Sequence, residues 1–275
     1  MVVQHNLQAA NTNRQLGITT SAQAKSTEKL SSGYKINRAA DDAAGLSISE
    51  KMRSQIRGLN KASSNAQDGV SLVQTAEGAL NETHSILQRM NELATQAANG
   101  TNTSVDRSAI RAELDQLTSE INRIQSTTQF NTMNLLDGTF SGATNQMKLQ
   151  VGALSGQSID FSIANMCATK IGLKTTLSVS TFTKAGSYMK SVQDAIEVVS
   201  KQRSAMGAIQ NRLEHTINNL GVTTENITSA ESRIRDVDMA KEMMNYTKNS
   251  VLVQSAQAML AQANQQPQSV LQLLQ

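Results

Sequence analysis

Residues 71–97 read SLVQTAEGALNETHSILQRMNELATQA, with an apolar side chain at every seventh position. A seven-residue repeat keeps one apolar stripe facing a partner as α-helices wind around one another. The stretch therefore predicts a long helix in a coiled-coil-like assembly. The repeat extends through residues 43–98 and is carried by Met52, Leu59, Ala66, Val73, Leu80, Leu87 and Ala94.

Two further stretches, residues 108–128 and 188–235, carry related apolar spacings. A second position on the stripe is only partly apolar, as at His84, so one helix pair has a weak seam and a bundle of several helices is expected. At about 1.5 Å per residue the two longest stretches span roughly 65–80 Å, which predicts a rod. The apolar positions are Ile110, Leu114, Leu117, Ile121 and Ile124 in one stretch, and Val192, Val199, Met206, Leu213, Leu220, Ile227 and Ile234 in the other.

The connecting segments have a different pattern. Residues 98–104 contain Gly and Asn, which end one helix, and Thr and Ser, which cap the next. Because the loop between them is short, the second helix should run antiparallel to the first. Apolar and polar residues alternate in 147–151 and again in 159–163, on either side of a glycine-bearing break. This pattern predicts a small β-hairpin. The Ser/Thr-rich piece 175–183 is expected to form another short strand or an exposed loop.

The two ends share a third pattern. Residues 1–32 and 236–266 are rich in Ala, Gln, Asn and Ser and have few large apolar side chains. Such helices are marginal alone and fold against partners. We expect both termini to pack together in one region.

The composition excludes several classes of protein. Trp is absent, and basic residues are spread along a chain of net charge +3, so no nucleic-acid surface is predicted. The lone Cys167 cannot form an intramolecular disulfide. No apolar run approaches about 18 residues, so no membrane insertion is expected. The amino terminus lacks the pattern of a signal peptide, which by itself favours a cytoplasmic protein.

Catalytic signatures are also missing from the sequence. No phosphate-binding loop, zinc motif or nucleophile elbow occurs, and His5, His84 and His215 are far apart. Asp41 and Asp42 precede a small-residue segment and are predicted to be helix-start acids. We predict neither an enzyme nor a cofactor or metal site.

Four runs of the sequence resemble the signature segments of bacterial flagellins. They are EKLSSGYKINRAADDAAGL at 28–46, NAQDGVSLVQTAEGAL at 65–80, TQFN at 128–131 and AQANQQPQSVLQLL at 261–274. The resemblance covers both ends and most of the helical regions, and its motifs stand in the family's order.

The resemblance implies a mainly α fold with two domains. The inner core domain would comprise residues 1–42 and 236–275. The outer rod domain would comprise helices in 43–137, a β-hairpin and loop in 138–187, and a helix in 188–235. The short segment between Asp137 and Ser187 implies a core-only member without extra surface domains.

The resemblance also implies a function. The chain would polymerise with copies of itself into the extracellular flagellar filament, after unfolded export through the flagellar type III route. An export chaperone, the filament cap and hook-junction proteins would be its partners. The residues expected to carry assembly are Leu7, Leu30, Val251, Leu260, Val270, Leu271 and Leu274.

A second implied role is binding to host Toll-like receptor 5 through the rod. The family segment LQR-x-x-EL stands here at residues 87–93, so Gln88, Arg89 and Leu93 match receptor contacts, as does Glu113. Arg89 and Leu93 are four residues apart and are expected to share one helix face.

Three alternatives come from other classes of protein. A hook–filament junction protein would share the flagellin-like ends but should diverge more from the quoted motifs. A generic coiled-coil adaptor would explain the heptads but not the terminal motifs. An enzyme would need a convergent polar pocket, and no sequence motif indicates one.

Overall fold

The computed structural model describes residues 6–142, 145–173 and 179–273, with side chains as far as Gln266. Within these ranges the protein is mainly α, as predicted, with two small antiparallel strand pairs. The helices are α1 (Leu7–Ser32), α2 (Ala43–Ala97), α3 (Ser104–Thr127), α4 (Phe182–Arg235) and α5 (Met239–Leu273), and the strands are β1 (Gln129–Phe130), β2 (Met133–Asn134), β3 (Met147–Gln150) and β4 (Ser158–Phe161).

The chain divides into two compact units. The terminal unit comprises Met1–Gln55 and Glu225–Gln275, and the central unit comprises Ile56–Thr224. Both divisions fall inside helices, within α2 and within α4. The predicted boundaries at 42/43 and 235/236 lie instead next to the start of α2 and at the end of α4. The assignment of these pieces to inner and outer filament domains stays a prediction.

Heptad residues form the core of the central unit. In α2 every predicted stripe residue from Leu59 to Ala94 is buried, and in α4 those from Val192 to Leu220 are buried. The stripe residues that belong to the terminal unit, Met52, Ile227 and Ile234, are only half-buried. The periodicity therefore predicted the buried face, and burial falls where the central unit ends.

Polar contacts give the helix directions in the central unit. The Arg107 side chain of α3 donates to the Ala97 carbonyl of α2 at 3.1 Å, and Arg89 of α2 pairs with Glu113 of α3 at 3.1 Å. These pairs show that α3 runs antiparallel to α2, as predicted. The connecting loop ends in a capping box, in which Thr103 and Asp106 bond each other's backbone N–H groups.

The predicted β-hairpin is present as β3 and β4, which pair with Met147 opposite Phe161 and Leu149 opposite Ile159. Its apolar face is buried against the helices because Ile159 and Phe161 alternate with exposed polar residues. Of the Ser/Thr-rich piece 175–183, residues 175–178 lie outside the described ranges and the last two begin α4.

The sequence did not predict the β1–β2 hairpin. Its two-residue turn places Asn131 and Thr132 at φ 49° and 64°, the positive values that a tight turn between antiparallel strands requires. Strands of two residues are too short to show alternation, so Asn131 was the one local signal.

The two termini pack together in the terminal unit, as predicted. Two backbone hydrogen bonds join the segment after α1 to the segment before α5. Lys35 N–H donates to the Arg235 carbonyl at 2.6 Å, and Val237 N–H donates to the Gly33 carbonyl at 3.0 Å. At the opposite end of the pair, the Asn6 side chain donates to the Ala263 carbonyl at 2.7 Å. Helices α1 and α5 are therefore antiparallel along their lengths.

Candidate functional site

The terminal unit buries almost no large apolar side chains. Among the side chains that the structure describes, 35 apolar residues are buried, and only Ile36 and Ala263 of these belong to the terminal unit. Polar Thr19 and Ser26 are the residues that α1 buries. As far as their side chains are described, the two terminal helices thus lack a core of their own.

The same unit exposes apolar residues that a folded protein usually covers. Nine of the 15 large apolar residues that are exposed in the described ranges belong to it. A concentration of this kind is typical of an interaction surface. The nine are Leu7, Ile18, Ile48, Met239, Met243, Met244, Val251, Leu252 and Met259.

Two depressions on α5 concentrate this apolar surface. The first is lined by Met243, Met244, Val251 and Leu252, which we call the α5 apolar surface, with Thr247 and Lys248 beside it. The second lies between α1 and α5 and is lined by Leu252 and Met259 from α5 and by polar residues of α1. Because Leu252 lines both, the two depressions are adjacent.

The predicted assembly residues are placed as follows. Leu7 and Val251 are exposed at 71% and 57%, whereas Leu30 and Leu260 are half-buried. Val270 and Leu271 lie in α5 beyond the last described side chain, and Leu274 lies outside the described residues. The prediction missed Met243, Met244, Leu252 and Met259, although spacings of seven and eight residues along 243–252 were a usable signal.

The central unit places three of the four predicted receptor residues on its surface. Gln88, Arg89 and Glu113 are exposed, and Arg89 donates from Nη2 and Nε to Glu113 Oε1 at 3.1 and 3.2 Å. Arg89 Nη1 also donates to Glu92 Oε2 at 3.2 Å, a contact that the sequence did not predict. The hydrogen bonds from Glu113 and then Glu92 raise the pKa of the Arg89 guanidinium above its usual value.

Leu93 is placed differently from the expectation. Its side chain is 2% exposed and belongs to the apolar core of the central unit, whereas the Arg89 side chain is 52% exposed. The two residues lie four apart on α2, but Leu93 faces the core, because the seam of α2 is wide enough here to include Leu93 beside Met90 and Ala94.

The other candidate groups have local structural contacts. Asp42 accepts a hydrogen bond from Gly45 N–H at 2.9 Å and so caps α2, as predicted. Asp41 accepts from the N–H groups of Arg38 and Asn37, which lower its pKa. Half-buried Cys167 contacts the Thr169 hydroxyl at 3.2 Å.

Two negative findings apply to the described ranges only. No group of three or more His, Cys, Asp or Glu side chains is arranged there to hold a metal ion. No helix in the same ranges combines the length and the apolar character needed to cross a membrane.

Comparison with known proteins gives consistent matches. Residues 3–141 match the bacterial flagellin N-terminal helical region, and residues 189–274 match the bacterial flagellin C-terminal helical region. Flagellins of Halalkalibacterium halodurans and Bacillus subtilis are 55% and 52% identical to the chain, with all of both chains covered in each case.

Solved structures agree with these matches. The crystal structure of Bacillus cereus flagellin is 32% identical, with a TM-score of 0.51, over 57% of this chain and 88% of that one. A putative flagellar hook-associated protein from Vibrio parahaemolyticus shares the fold alone, at 15% identity and a TM-score of 0.59, over 71% of this chain and 100% of that one.

Both family regions are thus present in order, and relatives match over the full length of this chain. Flagellin is a structural protein, which confirms the prediction that the chain is not an enzyme. The chain belongs to the bacterial flagellin family.

Proposed function

We propose that the chain is the structural subunit of an extracellular bacterial flagellar filament and polymerises through its terminal unit. The observation that carries this proposal is the exposed apolar surface on a pair of helices without a core. Covering a Val, Leu or Met side chain contributes about 1.5–3 kcal/mol, so covering several of them stabilises association strongly.

The partner is another copy of the chain. If this surface met the same surface of a neighbour, the contact would close as a dimer, so an extended polymer requires that the neighbour contributes a different face. Contacts between different faces close into a ring or, where the rotation between neighbours does not close, continue as an open helical polymer. Membership of the flagellin family supports this form of assembly over a closed oligomer.

The alternative of a hook–filament junction protein is less well supported. The chain is 55% identical to a flagellin over its whole length, whereas its likeness to the hook-associated protein from V. parahaemolyticus is limited to the fold. Motif agreement with flagellin at both ends favours the filament subunit.

Unfolded export through the flagellar type III route is part of the proposal. The single free Cys167 cannot close an intramolecular disulfide that would have to be opened before export. The terminal helices are held by few buried side chains and unfold at low cost. An export chaperone and the filament cap would then act before and during assembly.

The test is seeded assembly of the purified full chain. Short filament fragments are added to the monomer, and electron microscopy should show long helical filaments growing from them. Val251→Ser should slow elongation because Val251 belongs to the α5 apolar surface. Val222→Ser is the matched control, since Val222 is exposed at 59% but belongs to the central unit. Normal elongation of the Val251→Ser protein would contradict the role of the terminal unit.

We infer a second role as a ligand of Toll-like receptor 5 through the surface formed by Gln88, Arg89 and Glu113. The observation that favours it is that Glu113 and Glu92 hold the guanidinium of Arg89 in place while half of the side chain stays exposed. An Arg held in this way loses little rotamer freedom on binding. Leu93 would support this surface from beneath and would not contact the receptor as an exposed anchor. If a neighbouring subunit covers this face in the filament, released monomer is the efficient ligand.

The receptor role is tested with the monomer by measuring binding and reporter signalling separately. Arg89→Ala should weaken binding about tenfold, the scale of an interfacial Arg that carries more than 1 kcal/mol. Arg111→Ala is the matched control because Arg111 is equally exposed on α3 and pairs only loosely with Asp115. Equal binding by the wild-type and Arg89→Ala proteins would contradict the assignment.

A further inference from the structure

The methionines whose side chains the structure describes differ widely in exposure. The core of the central unit contains Met90, Met166 and Met206, which are at most 2% exposed. On α5 the exposed fractions are 49% for Met239, 49% for Met243, 67% for Met244 and 56% for Met259, and we call these four the α5 methionines. Accessible thioethers are therefore concentrated on one helix of the terminal unit.

Three of the four α5 methionines lie on the surface that the proposed function requires. Met243 and Met244 line the α5 apolar surface together with Val251 and Leu252. Met259 lines the adjoining depression between α1 and α5, which shares Leu252. In the unassembled chain water and small solutes reach these sulfur atoms, whereas a neighbouring subunit would exclude them.

We propose that the α5 methionines are a modification site at which peroxide oxidises the unassembled subunit and prevents its assembly. The inference rests on the proposed function, since it requires that a neighbouring subunit buries this surface. The modifying reagent is a hydroperoxide, with hydrogen peroxide as the simplest member.

The reaction needs no catalytic group from the protein. A lone pair of the thioether sulfur attacks one oxygen of the peroxide, so that an S–O bond forms and the O–O bond breaks. The product is methionine sulfoxide, and the second oxygen leaves as water after taking up the proton of the transferred one. Sulfur loses two electrons and the peroxide gains two.

The sulfoxide changes the surface from apolar to polar. Its oxygen is a strong hydrogen-bond acceptor that water satisfies in the monomer, and assembly would have to remove that water. Methionine is also flexible and adapts to irregular surfaces, a property that the bulkier, polar sulfoxide loses. Oxidation therefore opposes association without affecting the buried core of the central unit.

The first measurement locates the oxidation. The full-length monomer is treated with dilute hydrogen peroxide, the reaction is stopped with catalase, and peptides are mapped by mass spectrometry. Sulfoxide should form first at the α5 methionines, while Met90, Met166 and Met206 stay reduced. Oxidation of the buried methionines at the same rate would overturn the proposal.

The second measurement is seeded elongation of the treated and untreated monomer. Treated monomer should elongate filaments about tenfold more slowly, and incubation with both methionine sulfoxide reductases should restore the rate. Monomer that carries sulfoxide on α5 and elongates normally would overturn the inference. Untreated monomer that fails to elongate would overturn the proposed function itself, which separates the two failures.

Variants separate this site from other effects of peroxide. Replacing all four α5 methionines by Leu keeps the surface apolar and should give assembly that resists peroxide. Met133→Leu is the control, because it removes the exposed methionine of the central unit and should leave the sensitivity unchanged. Met243→Gln with Met244→Gln should slow elongation without any peroxide. Unchanged peroxide sensitivity of the four-Leu protein would overturn the proposal.

Discussion

In the terminal unit, Asn6 supplies a hydrogen bond that Pro267 cannot make. Pro267 lies inside α5 and has no N–H, so the carbonyl of Ala263, four residues earlier, loses its usual helical donor. The Asn6 side chain donates to that carbonyl at 2.7 Å while its Oδ1 caps α1 by accepting from Ala9 N–H at 3.0 Å. The side-chain amide of Asn6 thus caps the start of α1 and replaces the donor that α5 lacks at Pro267.

This arrangement predicts a dependence between the two residues. Asn6→Asp keeps the capping oxygen but loses the donor, so the terminal helices should be destabilised by about 1–3 kcal/mol. In a Pro267→Ala background the new N–H satisfies Ala263, and the same substitution should cost much less. Hydrogen exchange of α1 and α5 amides in the full chain measures both effects. Asn13→Asp controls for the added charge, and equal costs in the two backgrounds would argue against the coupling.

Mutation of Leu93 should destabilise the central unit far more than mutation of Arg89. Leu93→Ala leaves a cavity in the core and should destabilise the central unit by about 2–5 kcal/mol. Arg89→Ala breaks exposed ion pairs, which solvent screens, and should leave the stability nearly unchanged. Denaturant unfolding followed by circular dichroism compares them. A near-neutral Leu93→Ala protein would mean that this side chain is not packed in the core.

At the scale of elements, the β3–β4 hairpin is held against α2 by close backbone approach. A Cβ added at Gly58 would lie 2.7 Å from the Ala153 Cβ and 3.2 Å from the Ala153 Cα, so the turn of the hairpin occupies the space of a side chain. The β3 residue Leu149 also packs beside Gly69. Glycine on α2 therefore allows the hairpin to reach the helix.

Gly58→Ala should therefore destabilise the central unit by about 1–3 kcal/mol, because Ala153 backbone atoms cannot move away as a flexible side chain could. Gly78→Ala is the control on the same helix. It meets nothing within 4 Å and should stabilise the unit by about 0.5–1 kcal/mol through helix propensity. Thermal unfolding of both variants gives the comparison, and a Gly58→Ala protein as stable as the control would show that the hairpin shifts freely.

The elements differed in how well the sequence predicted them. Helices α2, α3 and α4 carry heptad residues over many turns, so the pattern predicted both the helices and their buried faces. The β1–β2 hairpin depends on two residues with positive φ in a two-residue turn, and no repeating pattern in the sequence predicts it. The α5 apolar surface was predicted only at Val251, because its methionines are spaced without a sustained repeat.

At the scale of the whole molecule, the two units differ in how many of their apolar side chains are buried. All members of the main buried cluster belong to the central unit, which has its own core of helices and hairpin. Among the side chains described from Asn6 to Gln266, the terminal unit, with its two antiparallel helices, has two buried apolar residues and nine exposed large ones. The central unit therefore has a core of its own, and we expect the terminal unit to need a partner to bury its surface.

Deletion of residues 251–275 should separate these properties. It removes Val251, Leu252 and Met259 but no member of the central core, so the central unit should stay folded. Polymerisation should be lost because the apolar surface is truncated. Circular dichroism and seeded electron microscopy test the two halves of the prediction. Filaments formed by the truncated chain would refute the role given to the terminal unit.

The sequence by itself determined the helices, their seams, the β3–β4 hairpin and the family, because these depend on periodic patterns or on long contiguous motifs. Only the tertiary structure decided that Leu93 is buried, that Glu92 and Glu113 hold Arg89, and that Asn6 reaches Ala263. It also showed which methionines are exposed. These outcomes depend on which groups distant parts of the chain bring within a few ångströms, and local sequence patterns do not contain that information.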